Sequence, residues 1–107
     1  MNNKQITNKA LKELEKLGFK VFNMSFDRRM PPGMIGFPDH NIISKNGFVF
    51  YIEDKFGSDK LSDEQVIVRN TIEQCARHSY GVVGYYINTG NIQEIVDDII
   101  KSIEWKP

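Results

Sequence analysis

Two rhythms of hydrophobic and polar residues run along this chain, and together they divide it into seven elements. From about Lys4 to Leu17, the residues Ile6, Ala10, Leu14 and Leu17 recur at the spacing of a helix with one apolar face, and Gly18 suits its end. Phe19–Met24 alternates loosely and is β-branched or aromatic, which predicts a strand. Ser25–Ile35 contains Pro31, Pro32 and Gly33, which forbid a regular element and predict an exposed loop. Phe37–Ser44 and Phe48–Lys55 are strand-like runs around Lys45-Asn46-Gly47, a hairpin signal. A helix from about Ser62 to His78 opens on the capping box Ser62…Gln65, with Asp63 and Glu64 at the positive end of its dipole; Val68, Ile72 and Cys75 are its expected inward stripe. Gly81–Ile87 is an unbroken apolar run, as expected of a strand covered on both faces. The last helix starts near Asn91, with Glu94 as cap partner and Ile92, Ile95, Val96, Ile99 and Ile103 as its apolar face.

The order α-β-β-β-α-β-α predicts an α/β fold, with helices flanking a mixed sheet. The hairpin is antiparallel, and the later strand, reached through a helical crossover, runs parallel to a neighbour. The 107 residues are read as a single domain, 1–107. No apolar run approaches the ~20 residues that span a bilayer, and the N-terminal MNNKQITNK has no signal-peptide character, so no membrane partner is expected. One cysteine, Cys75, excludes an internal disulfide framework and suits a reducing, cytoplasmic compartment. Cys75 is expected in the helix core, and one Cys with two His gives no zinc-type cluster. Fourteen basic residues balance fourteen acidic ones, which argues mildly against a nonspecific nucleic-acid coat but leaves room for an enzyme whose carboxylates hold a metal.

The chemistry concentrates in Gly36–Lys55. Glu53 and Lys55 are two apart and share a face of their strand. Whether Asp39 joins them depends on the turn. A two-residue Asn46-Gly47 turn sets Asp39 opposite Asp54, on the wrong face. A three-residue Lys45-Asn46-Gly47 loop pairs Ser44 with Phe48 and Asp39 with Glu53, with Gly47 left-handed in a G1 bulge. The second register is the expectation, because a one-residue slip scatters the site. Facing carboxylates ~5 Å apart at Cβ can share a divalent cation. Oxygen ligands favour Mg2+ or Mn2+. The Asp54 backbone carbonyl is a further candidate ligand. Lys55 can orient a water at such a cation or stabilise charge on phosphorus. Arg28, Arg29, Lys60 and Arg69 are candidate phosphate contacts, and no base-reading motif is evident. His40 alternates away from Asp39 and is read as structural. Tyr80, Tyr85 and Tyr86 are read mainly as packing, with base stacking by one of them as the alternative. Trp105 is expected to cover the last helix or sit in a dimer contact.

Taken together, Gly36-Phe37-Pro38-Asp39, Glu53-Asp54-Lys55 and the stretch from Gly57 through Leu61-Ser62 to Gln65 resemble the VRR-NUC domain, the virus-type replication-repair nuclease branch of the PD-(D/E)XK superfamily. The resemblance implies a restriction-endonuclease-like fold and Mg2+- or Mn2+-dependent hydrolysis of phosphodiester bonds in DNA. Stand-alone members this short are typical of phages, which implies the host-cell cytoplasm, and they resemble homodimeric cutters of branched or four-way-junction DNA. By position, Asp39 and Glu53 are implied metal ligands, Lys55 the catalytic lysine, and Gln65 a residue facing the site. The family's first-helix glutamate has no counterpart here: Asn3 and Gln5 hold the expected positions, and Gln5 is left as a possible auxiliary. Two other readings stand beside an active endonuclease: a catalytically weak or inactive DNA-binding module of the same fold, and an interaction protein in which the motif is accidental.

Overall fold

The computed structural model describes residues 1–24, 35–78 and 83–102. The expectations placed on Arg28, Arg29, Tyr80, Ile103 and Trp105 lie outside the described residues. The element order is α1 (Asn3–Lys16), β1 (Lys20–Asn23), β2 (His40–Ile43), β3 (Val49–Asp54), α2 (Asp63–His78), β4 (Val83–Asn88) and α3 (Ile92–Ser102). The four strands lie in the order β1-β2-β3-β4, the first two pairings antiparallel and β3–β4 parallel. This is the mixed sheet that the alternation predicted. Among the described residues, no helix is long and apolar enough to cross a membrane.

α1 begins where Asn2 and Gln5 cap each other: Gln5 N–H donates to Asn2 Oδ1 (2.9 Å) and Asn2 N–H to Gln5 Oε1 (3.0 Å). It ends in a Schellman motif, with Gly18 N–H on Glu15 O and Phe19 N–H on Leu14 O. The period is as expected but its phase is not. The buried stripe is Thr7, Ala10, Leu11 and Leu14, whereas Ile6 and Leu17 are exposed. A polar Thr7 is admitted in place of Ile6 because its hydroxyl meets a partner inside, described below.

α1 and α3 cover one face of the sheet. Ile92, Ile95, Val96 and Ile99 of α3 are buried together with Leu11, Leu14, Val21, Ile42, Phe50 and Ile52 in one core. Burial of each such side chain is worth about 1.5–3 kcal/mol, so this face holds the fold together. Asn91 directs its side chain to the Thr89 amide (2.9 Å) in the turn that leads into α3.

α2 covers β4 and the other face. Its half-buried and buried residues are Gln65, Val68, Arg69, Ile72, Glu73 and Ala76. The stripe therefore runs on to Ala76, and Cys75, expected in the core, is exposed. The start of α2 is docked on the segment before β2. A Cβ on Gly36 would come within 2.7 Å of the Glu64 carbonyl carbon, and its φ is +87°. Only glycine satisfies both conditions, so Gly36 sets how closely Asp39 approaches the helix that carries Gln65.

Candidate metal and phosphodiester site

The hairpin takes the three-residue form. Ile43 pairs with Val49 and His40 with Ile52, and Ser44 N–H donates to Phe48 O (2.9 Å). Gly47 N–H closes the turn on Ser44 O, and its φ of +91° is the left-handed conformation that the bulge requires. Carried one residue past His40, this register sets Asp39 opposite Glu53, both on the α2 face. The Asp39 backbone is held in turn by Met24, whose N–H donates to Asp39 O (2.6 Å).

Glu53 is 2% exposed. Its Oε1 accepts from Gln65 Nε2 (2.5 Å) and lies 3.7 Å from Lys55 Nζ. Its Oε2 is buried with no hydrogen-bond partner. Burial first, and the negative charge of Asp39 second, push its pKa from 4.5 up to about 7. Asp39 is also raised, chiefly by burial, against the opposing hydrogen bond that its Oδ2 accepts from Asp54 N–H (2.8 Å). Two carboxylates thus face each other, one with an orphaned buried oxygen, beside Lys55. Ligation by a divalent cation supplies what such an oxygen lacks, and an all-oxygen donor set suits Mg2+ or Mn2+. The residues present therefore fit that kind of ion. Among the described residues, no group of three His, Cys, Asp or Glu converges to hold a metal.

Gln65 makes both sets of contacts that its position allowed. Its Oε1 accepts from Ser62 N–H (2.8 Å), its own N–H donates to Ser62 Oγ (3.2 Å), and its Nε2 holds Glu53. The capping box and the site are joined through this one side chain.

Asp54 lies on the opposite face. Its Oδ2 meets His40 Nε2 (2.7 Å) and its Oδ1 accepts from Asn88 Nδ2 (3.0 Å). His40, 2% exposed, contacts Asn23 Oδ1 through Nδ1 (2.7 Å), as befits the structural histidine expected from its place in the strand. Lys55 N–H donates to Asn88 O (2.9 Å), on the β4 side of β3. In a trans peptide the C=O points opposite to the N–H, so the Asp54 carbonyl is directed toward the β2 side, where Asp39 lies.

The other sequence-derived candidates scatter. Lys60 is exposed in the turn before α2. Arg69 is half-exposed, with Nε on Glu73 (3.1 Å). Gln5 is exposed and engaged in the α1 cap. Tyr85 shares the site's face, and burial, then the charge of Glu53, raise its phenol to about 12. Tyr86 faces the core against Phe50. Lys4 and Asn8 were missed by sequence reasoning. One turn apart on α1, they line a concavity of about 290 Å³ with Asp39, His40, Asp54 and Phe56. Their i, i+4 spacing was visible, but nothing in it pointed to β2. Thr7 and Asn88 were missed as well.

A solved VRR_NUC domain superposes with a TM-score of 0.59, covering 94% of this chain and 97% of that one at 20% sequence identity. This chain has the VRR_NUC fold. No family model matches the sequence, and no curated protein matches it. The VRR_NUC fold thus emerges from the backbone path, the same path that sets Asp39 against Glu53.

Proposed function

We propose that this domain is a metal-dependent endonuclease that hydrolyses phosphodiester bonds in DNA, acting on branched or four-way-junction substrates as a homodimer. The observation that carries the reading is the buried Glu53 carboxylate, with Oε2 unpartnered, opposite Asp39 and beside Lys55. Asp39, Glu53 and the Asp54 carbonyl would hold the ion. Bound there, Mg2+ or Mn2+ would polarise a phosphoryl oxygen and acidify a water.

The chain's own residues do the rest. Gln65 fixes Glu53 by Oε1 and so leaves Oε2 for ligation. The Asp54 amide holds Asp39 in the same way through Oδ2. Lys55, a compact cation at the edge of the site, orients the attacking water and offsets charge building on phosphorus. Arg28, Arg29, Lys60 and Arg69 supply phosphate contacts without base readout, which favours recognition of shape over sequence. A small domain with one site reaches both strands of a junction by pairing with a copy of itself, hence the dimer.

The test is cleavage of a synthetic four-way junction and nicking of supercoiled plasmid in Mg2+ and Mn2+. Wild type is expected to cut, and Asp39→Ala and Lys55→Ala to lose cutting by at least about a thousandfold, several kcal/mol of transition-state stabilisation. Cleavage that survives both substitutions removes the site assignment. One observation favours a second reading, a DNA-binding module that does not cut: only two acidic side chains converge among the described residues. Junction binding without cleavage in either metal would decide for it.

A further inference from the structure

Behind the site, on the α1 face of the sheet, lies a chain of polar side chains, with Thr7, His40 and Asn88 buried, that no step of the proposed hydrolysis uses. Asn88 is fully buried. Its Nδ2 donates to Thr7 Oγ1 (2.9 Å) and to Asp54 Oδ1 (3.0 Å), and its Oδ1 accepts from Gly90 N–H (3.1 Å). Its backbone O accepts from Lys55 N–H (2.9 Å). Asp54 continues the chain to His40, and His40 to Asn23. Four elements, α1, β1, β2 and β4, are thus tied to the end of β3.

One peptide plane is held particularly closely. Asn88 holds the Asp54 side chain on one side of the Asp54–Lys55 peptide and the Lys55 amide on the other. The Asp54 N–H, one peptide earlier, holds Asp39 Oδ2. We propose that Asn88, itself oriented by Thr7, is a positioning residue that aims the Asp54 carbonyl and the Asp39 carboxylate at the cation, from the face opposite the site. The proposal rests on the metal-site reading above. Physically, a carbonyl ligand cannot choose its rotamer. Its direction is that of its peptide plane, so fixing the plane fixes the ligand. Outer hydrogen-bond partners of this kind typically carry 10–100-fold of metal affinity. The Gly90 N–H on Oδ1 and the Asp54 carboxylate at Nδ2 keep the Asn88 amide from turning over, and Thr7 matters because it accepts the second amide hydrogen, which would otherwise be buried without a partner.

The test compares Asn88→Ala, Thr7→Val and Thr7→Ser with wild type. Mn2+ affinity is read by calorimetry, and amide hydrogen exchange is read on the metal-free protein. Expected are a loss of Mn2+ affinity of at least tenfold in Asn88→Ala and about tenfold in Thr7→Val, with recovery in Thr7→Ser. The metal-free variants are expected to lose protection at the Asp54 and Lys55 amides, while Ile42 and Phe50 in mid-sheet keep theirs. Thr7→Val preserves shape, so it serves if Asn88→Ala does not fold. Unchanged Mn2+ affinity in Thr7→Val overturns the proposal, as does a uniform loss of protection with affinity retained, which is the mark of a merely structural role. If wild type itself binds no Mn2+, the metal-site reading falls and takes this proposal with it.

Discussion

Glu53 and Asp54 are neighbours in the chain, and the fold treats their carboxylates in opposite ways. Asp54 faces the α1 side, where His40 takes one oxygen and Asn88 the other. Glu53 faces α2, where Gln65 and Lys55 attend one oxygen and the other is buried with no partner. A half-buried carboxylate with both oxygens served is part of the framework. One left half-served is unstable as an anion, and a raised pKa is the measure of that. The alternation of a single strand thus sets a fully partnered acid and a half-partnered one side by side, one on each face.

The sharpest way to break the comparison is to neutralise each acid in turn. Glu53→Gln keeps an oxygen for Gln65 but buries no charge. It is expected to abolish Mn2+ binding and lower any cleavage by at least about a thousandfold. In the metal-free protein its effect on stability has the opposite sign. The folded-state pKa of Glu53, about 7, lies above its ordinary 4.5, so the folded state binds the proton more tightly. The wild type is therefore most stable below about pH 4.5 as far as this group is concerned, and loses stability as pH rises through about 7, by an amount on the order of 3 kcal/mol. Glu53→Gln escapes that loss. Melting curves without metal should show the variant gaining on wild type between pH 5 and pH 8, at about 4–8 °C per kcal/mol. A variant less stable than wild type at pH 8 would show that Glu53 is as well served as Asp54.

Asp54→Ala is the counterpart. It strips partners from His40 and Asn88, both buried, and should cost about 2–4 kcal/mol at neutral pH. Denaturant unfolding of the metal-free protein checks the contrast directly: one acid destabilises the fold where it stands, the other stabilises it. Equal effects would erase the distinction on which the site assignment is built.

On the α2 side the hairpin register could be read from sequence, whereas little of the α1 side could. The register of Asp39 against Glu53 was legible because turn chemistry at Asn46-Gly47 and the parity of the strands give only two choices. The fold class was legible from the two periods. The Thr7–Asn88 contact was not, because its partners are 81 residues apart, Thr7 sits among polar residues, and Asn88 reads as the polar end of an apolar run. The same blindness explains the phase error on α1: Ile6 looks like core until the partner that buries Thr7 is known. Cys75 misled for a related reason. Small apolar residues at both 75 and 76 fit the stripe, and only the position of β4 decides between them.

Gln65 joins the capping of α2 to the site, and the two roles can be separated by a pair of mild substitutions. Ser62→Ala removes the hydroxyl that accepts the Gln65 amide. Gln65→Ala removes the reciprocal bond and also the donor to Glu53. As cap losses the two should be alike, each about 1 kcal/mol by thermal unfolding. As site losses they should differ. Without Gln65, Glu53 loses the bond that commits Oε1 and with it the arrangement that leaves Oε2 unpartnered, so Mn2+ affinity should fall severalfold, whereas Ser62→Ala should leave it within a factor of two. Equal affinities in the two variants would mean that Gln65 only caps the helix, and that Glu53 is held in place by the sheet alone.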